Sequence, residues 1–233
     1  MNLRVKDKLA RGETATMVLI NYPSAALVES VAASGFDMAF IDTEKGSASP
    51  RDIEEMCRAA RASGIQALVR PWSSDAGLIS RYLDLGADGV MVAAMDSPQA
   101  ARLLVEAVRY ARFADWQNKL VVAMIESPEA ISRLPELLAV DGIDVWFIGP
   151  NDLAHRMGHP GNATHPDVVA AVHSTLKAIR AAGKLGGTLS TPQTAAALVE
   201  SGARLLMTRV SDLLVIGAKT YFASLPNTSR SQP

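Results

Sequence analysis

The chain has 233 residues, 48% hydrophobic and 20% charged, a size that one large α/β domain fills better than two small ones. Its 23 Lys and Arg against 24 Asp and Glu leave a net charge of −1 with no basic stripe or acidic tail, which gives no footing for nucleic acid or a membrane surface. A single cysteine excludes an internal disulfide, no apolar run reaches membrane-span length, and MNLRVKDKLARGE is charged where a signal core would be apolar, so a cytoplasmic protein is expected.

Short apolar runs recur along the chain: TMVLIN (16–21), MAFID (38–42), QALVR (66–70), GVMVA (89–93), LVVAMIE (120–126), DVWFIG (144–149), LGGTLS (185–190) and RLLMTRV (204–210). Amphipathic stretches of helical period separate them, from AALVESVAAS through PRDIEEMCRAARAS, DAGLISRYLDL, SPQAARLLVEAVRYA, SPEAISRLPELLA, PDVVAAVHSTLKAIRAA and TPQTAAALVES to SDLLVIGAKTYFASL. Continuous apolar strands suit a sheet buried on both faces, which means parallel strands with helical crossovers. Helix starts are marked at Ser49-Pro50, Ser97-Pro98, Ser127-Pro128 and Thr191-Pro192, a capping hydroxyl followed by proline in the first turn. Glycine follows the helices in ASGFD, ASGIQ, DLGAD, AAGKL and ESGAR, where a left-handed cap is wanted. Eight such units predict one (β/α)₈ TIM barrel over residues 1–225, followed by a mobile tail at 226–233. An open doubly wound sheet is disfavoured because no glycine-rich phosphate turn follows the first strand.

The C-terminal strand ends form the functional face of such a barrel. Read in order they carry Asn21; Asp42, Glu44 and Lys45; Arg70; Ala93; Glu126; Asn151 and Asp152; Ser190; and Arg209. Each has a plain structural alternative. Glu126 suits the start of the helix near Pro128, Asp152 suits a cap of the DLAHRMG turn, and Arg70 suits an ion pair with Asp42 or Glu44. Brought into one mouth, however, Glu126 and Asp152 repel unless a proton or cation lies between them. Two carboxylates suit Mg²⁺ or Mn²⁺, with Co²⁺ a further choice. Cys57, inside a helical pattern, reads as a buried thiol, and the four histidines read as solvent or capping residues rather than ligands.

Several segments together resemble the HpcH/HpaI family of metal-dependent pyruvate aldolases: GFDMAFIDTEKG, LVRPW, DLGADGVMV, MIESPEA and, most specifically, GIDVWFIGPNDLAHRMGHPGNATHPDV. The resemblance runs from about the first helix to the last. It implies a TIM barrel of the phosphoenolpyruvate/pyruvate type, a homo-oligomer (hexamer or trimer) whose eighth helix packs on a neighbouring subunit. It further implies that Glu126 and Asp152 hold the metal, that Arg70 holds the pyruvate oxygens, and that backbone amides around Gly149 and Asn151 receive the carboxylate of a 2-oxo acid. Asp42 belongs to the acid–base element, and Asp84 matches an acid presented to a neighbour's site. The implied activity is retro-aldol cleavage of a 4-hydroxy-2-oxo acid to pyruvate, or a related 2-oxo acid, and an aldehyde.

The chain departs from that pattern in four places. Lys45 stands where the family has the histidine of its acid–base pair, Met124 where a Gln is common, and Arg209 where glycine is common. Only RYARFADWQNK spans a gap that a longer loop usually fills. Lys45 is a poor base but can act as an acid or anion clamp. The alternatives are therefore a diverged member with decarboxylase or other acid-substrate chemistry, and a non-catalytic barrel that binds metal and oxo acid.

Overall fold

In the computed structural model, which describes residues 5–226, parallel strands pair in chain order and the eighth closes on the first. They are β1 (Ala15–Leu19), β2 (Met38–Asp42), β3 (Gln66–Arg70), β4 (Gly89–Val92), β5 (Leu120–Ile125), β6 (Val145–Ile148), β7 (Gly186–Leu189) and β8 (Ala203–Arg209). The helices are α1 (Val5–Ala10), α2 (Ala25–Ala33), α3 (Pro50–Ala62), α4 (Ala76–Asp84), α5 (Pro98–Ala111), α6 (Pro128–Ser132), α7 (Leu134–Leu138), α8 (Pro150–Arg156), α9 (Pro166–Ala181), α10 (Ala195–Ser201) and α11 (Val210–Ala223). The predicted TIM barrel is the observed fold. Residues 227–233 of the expected tail lie outside the described residues. Among those described, no helix is long and apolar enough to cross a membrane.

Side chains alternate across each strand, and here the alternation separates two cores. Met17, Phe40, Leu68, Met91, Met124 and Phe147 fill the barrel interior, while Val18, Ile41, Val69, Val90, Ala123 and Trp146 pack under the helices. Carrying this inward set, together with Leu205 of β8, forward by two residues at a time gives Asn21, Asp42, Arg70, Ala93, Glu126, Gly149 and Arg209. The site residues therefore continue the interior stack at its open end.

Local chemistry accounts for most boundaries. Ser49, Ser97 and Ser127 each accept a backbone N–H of the following first turn, with proline next in sequence. Ser49 and Asp52 complete a capping box. Gly202, at φ 118°, ends α10 in a conformation that L side chains rarely adopt.

Three details differ from expectation. The helix read in SPEAISRLPELLA breaks into α6 and α7, because Pro135 lacks an N–H and its ring would crowd the carbonyl four residues back. Thr191-Pro192 forms a turn, held by a hydrogen bond from the Thr191 N–H to Thr194 Oγ1, and α10 starts only at Ala195. The charged N-terminal segment also contains α1, whose Val5 and Leu9 join the barrel-interior cluster. Replacing the exposed Ser49 cap by alanine should cost about 1 kcal/mol. A chemical-denaturation midpoint should register that loss while the site is left intact.

Candidate active site

At the C-terminal ends of the strands the interior stack opens into a cavity of about 260 Å³. Phe40, Met91, Met124 and Phe147 form its floor, and Asp42, Lys45, Arg70, Glu126, Asn151, Asp152 and Arg209 stand around it. Of the strand-end residues read from the sequence, Asn21, Asp42, Lys45, Arg70, Glu126, Asn151, Asp152 and Arg209 thus line one cavity, whereas Glu44, Ala93 and Ser190 are not part of its lining.

Glu126 immediately follows β5 and is only 4% exposed. Its Oε2 accepts the Ala94 N–H at 3.0 Å, whereas Oε1 has no hydrogen-bond partner among the described residues. Ala94 makes that contact from a left-handed backbone, φ 55°, a strained setting for a residue with a Cβ. Burial pushes the Glu126 carboxyl above its ordinary range, the Ala94 N–H pulls it back, and the charge of Asp152 adds to the rise. Gly149 lets the two elements approach: a Cβ there would lie 2.5 Å from Glu126 Oε1.

Across the mouth, the Arg70 guanidinium is held by acids on two sides. Nε donates to Asp42 Oδ1 at 2.9 Å, Nη2 donates to Oδ2 at 2.6 Å, and Nη1 lies 3.0 Å from Glu44 Oε2. Asp42 and Arg70 are register partners on adjacent strands, so the bidentate pair follows directly from strand alignment. Burial alone would lower the Arg70 pKa, but hydrogen bonding to Asp42 and the charges of Asp42, Glu44 and Glu126 outweigh it and raise the group above its ordinary value. Met124, at the position where the resembling family commonly has Gln, brings its sulfur to 4.0 Å from Arg70 Nη1. The ion pair read for Arg70 from the sequence is present, and the paired arginine also lines the cavity.

Asp152 sits in the first turn of α8, where the positive end of the helix favours an anion. Lys45 Nζ reaches its two oxygens at 3.1 and 3.0 Å. Lys45 therefore meets a carboxylate in the position expected of a metal ligand, which the spacing of DTEKGSAS gave no means of foreseeing.

One expected substrate contact changes. The Gly149 N–H is committed to the Ile125 carbonyl at 3.0 Å, so it is not a free amide for a carboxylate. That leaves Asn151, whose N–H belongs to the orphan donors of a helix's first turn. Asp84 lies in the last turn of α4, at the far end of the barrel, paired with Arg112 at 3.0 Å; it forms no part of this chain's own cavity. Arg209 lines the cavity and keeps Asp212 at 3.5 Å. Cys57 is buried, which pushes its thiol up to about 12 and matches its reading as an inert core residue.

Other parts of the arrangement had no sequence signal. Asp96, after β4, accepts the Ser127 hydroxyl at 2.6 Å and Arg156 Nη1 at 3.2 Å. It therefore ties the residue after Glu126 to the helix that carries Asp152. His155 and His159 stand at HxxxH spacing, which the sequence reading overlooked, but the possible ligand atoms that come within 4.8 Å of one another are those of His159, His165 and Asp167. The two imidazoles stack at 3.5 Å between centroids and 13° between planes, so their in-plane lone pairs do not converge on one ion. His165 instead caps α9, accepting the Asp167 N–H.

Comparison with known proteins agrees with this barrel. The model of the HpcH/HpaI aldolase/citrate lyase family matches residues 15–218, and the chain belongs to that family. It is a carbon–carbon lyase of the aldolase class. Its relatives include the 2-keto-3-deoxy-L-rhamnonate aldolase of Escherichia coli K12, 31% identical, with 98% of this chain and 94% of that protein covered. The enzyme of the same name from Klebsiella pneumoniae is 32% identical over the same shares of the two chains. Among solved structures, an HpcH/HpaI aldolase/citrate lyase family protein from Burkholderia cenocepacia superposes with a TM-score of 0.84 at 25% identity, covering 94% of this chain and 97% of that one.

Two predictions test the strain and charge at Glu126. Its folded pKa is raised, so protonation stabilises the metal-free fold at low pH, and that contribution is lost as pH rises through the folded value. Glu126→Gln should therefore raise the Tm of the chelated protein at neutral pH, by about 2–4 °C for each kcal/mol relieved. The gain should vanish as pH falls into the ordinary glutamate range; an equal gain at both pH values would refute the burial argument. Gly149→Ala, which forces Glu126 Oε1 aside, should weaken divalent-cation binding at least tenfold by calorimetry while leaving the circular-dichroism spectrum unchanged.

Proposed function

We propose that the chain cleaves a 4-hydroxy-2-oxo acid by retro-aldol chemistry to pyruvate, or a related 2-oxo acid, and an aldehyde, with Glu126 and Asp152 holding a divalent cation. The observation that carries the reading is the unpartnered, buried Oε1 of Glu126, which shares one cavity with Asp152 and Arg70. The donor set is all oxygen and doubly negative, which fits Mg²⁺ or Mn²⁺. When bound, such an ion would polarise the 2-oxo group as a Lewis acid.

The remaining roles fall to the chain's own side chains. Cleavage breaks the C3–C4 bond and gathers negative charge on the oxo-acid oxygens. Arg70, permanently protonated and held rigid by Asp42 and Glu44, is a preorganised donor for that charge. Asp42 acts through Arg70, since both of its oxygens are engaged by the guanidinium. The Asn151 N–H at the start of α8 receives the substrate carboxylate. Lys45 supplies a positive charge beside Asp152 in place of a neutral imidazole base.

The same reading makes the protein a cytoplasmic homo-oligomer, a hexamer or trimer. Its support is α11, which exposes Leu214, Val215 and Tyr221 at 62%, 53% and 62%. Apolar side chains this exposed along one helix suit a neighbouring subunit.

Coupled-assay measurements should show pyruvate release from 4-hydroxy-2-oxo acids, and chelation should remove it. Arg70→Lys, which keeps the charge but loses the fork, should lower kcat/KM about 10²–10³-fold. If oxaloacetate loses CO₂ while no aldol substrate turns over, the decarboxylase reading replaces this one.

A further inference from the structure

We infer that Lys45 is a tethered cation that occupies Asp152 until a divalent ion displaces it, and so sets how tightly the protein holds that ion. The inference rests on the metal reading of Glu126 and Asp152 above.

Lys45 is delivered to this position by its own turn. It leaves the β2 side of the mouth and meets Asp152 on the helix after β6, a strand on the opposite side of the ring, so the ammonium spans the opening. Asp42 Oδ1 accepts the backbone N–H groups of Glu44 at 3.0 Å and Lys45 at 3.3 Å, and the turn is thereby fixed by the same carboxylate that orients Arg70. Gly46 closes the turn so tightly that a Cβ would lie 2.1 Å from the Asp42 carbonyl oxygen. The direction of Lys45 is therefore set by backbone contacts as well as by attraction to Asp152.

The charge balance shows what the lysine does there. Arg70 is already bound by two acids, Asp42 and Glu44, and so has no charge to spare for Glu126 and Asp152, the two further acids that line the cavity. Lys45 engages both oxygens of Asp152 but leaves Oε1 of Glu126 without a partner. One positive charge thus half-neutralises a site that a divalent ion would neutralise completely. Any ion bridging the two acids has to take at least one Asp152 oxygen from Lys45. Its side chain is 54% exposed and that of Asp152 44%, so the exchange is inexpensive and lowers affinity only modestly.

The test is a Mn²⁺ titration of the full, chelator-stripped chain, read by calorimetry and by the electron-paramagnetic-resonance signal of free Mn²⁺. Lys45→Met, similar in length but uncharged, should bind Mn²⁺ roughly three- to tenfold tighter than the wild type, and Lys45→Gln should move the same way. Wild-type affinity, or weaker binding, in both folded variants would overturn the inference while the metal reading stands. If neither the wild type nor the variants bind Mn²⁺, or if Glu126→Gln binds as well as the wild type, the metal reading fails and takes this inference with it.

Discussion

A buried carboxylate with one oxygen left bare is the constraint on which the rest of this mouth depends. Water would solvate both oxygens of Glu126, but inside the barrel only the Ala94 N–H does so. A carboxylate held this way is stable only with a proton or a cation beside it. The surrounding structure preserves that demand: Ala94 takes a left-handed backbone to reach one oxygen, and Gly149 omits the Cβ that would cover the other. Local strain concentrated around a single unsatisfied atom is the mark of a site built to receive something.

The other charges are arranged so that this demand remains unmet by the protein itself. Arg70 is a buried cation at the cavity, and Asp42 and Glu44 hold it on the β2–β3 side. It can donate to a bound anion without collapsing onto Glu126. Lys45 is spent on Asp152. Each of these two cations is thus held by carboxylates of its own, and Arg70 in particular is fixed in place beside the cavity, where a preorganised donor can stabilise charge formed on the oxygens of an oxo acid.

Asp96 adds a mechanical link. Glu126 lies on the β5 side and Asp152 on the helix after β6, and under the metal reading proposed above their separation has to hold for both to face one ion. Through Ser127 and Arg156, Asp96 fastens these two elements to the turn that carries Ala94. The ligand positions are set by hydrogen bonds behind them as well as by the strands on which they ride.

Much of this was legible in the chain alone. Apolar runs of strand length, the Ser-Pro starts and the glycines after the helices specify a (β/α)₈ barrel, because each is a short-range consequence of backbone geometry. The ends of the apolar runs place Asp42, Arg70 and Glu126 on the functional face of that barrel, and DVWFIGPND places Asp152 beside them. The sequence by itself therefore determined the barrel, its functional face and the residue types gathered there. Only the tertiary structure decided their partners. Lys45 meets Asp152 across the ring, Gly149 gives its N–H to Ile125, the Ala94 N–H turns toward Glu126, and Asp84 points away at the far end. Such pairings depend on strand register, barrel closure and the direction of a turn, so neither local propensity nor spacing along one chain contains them.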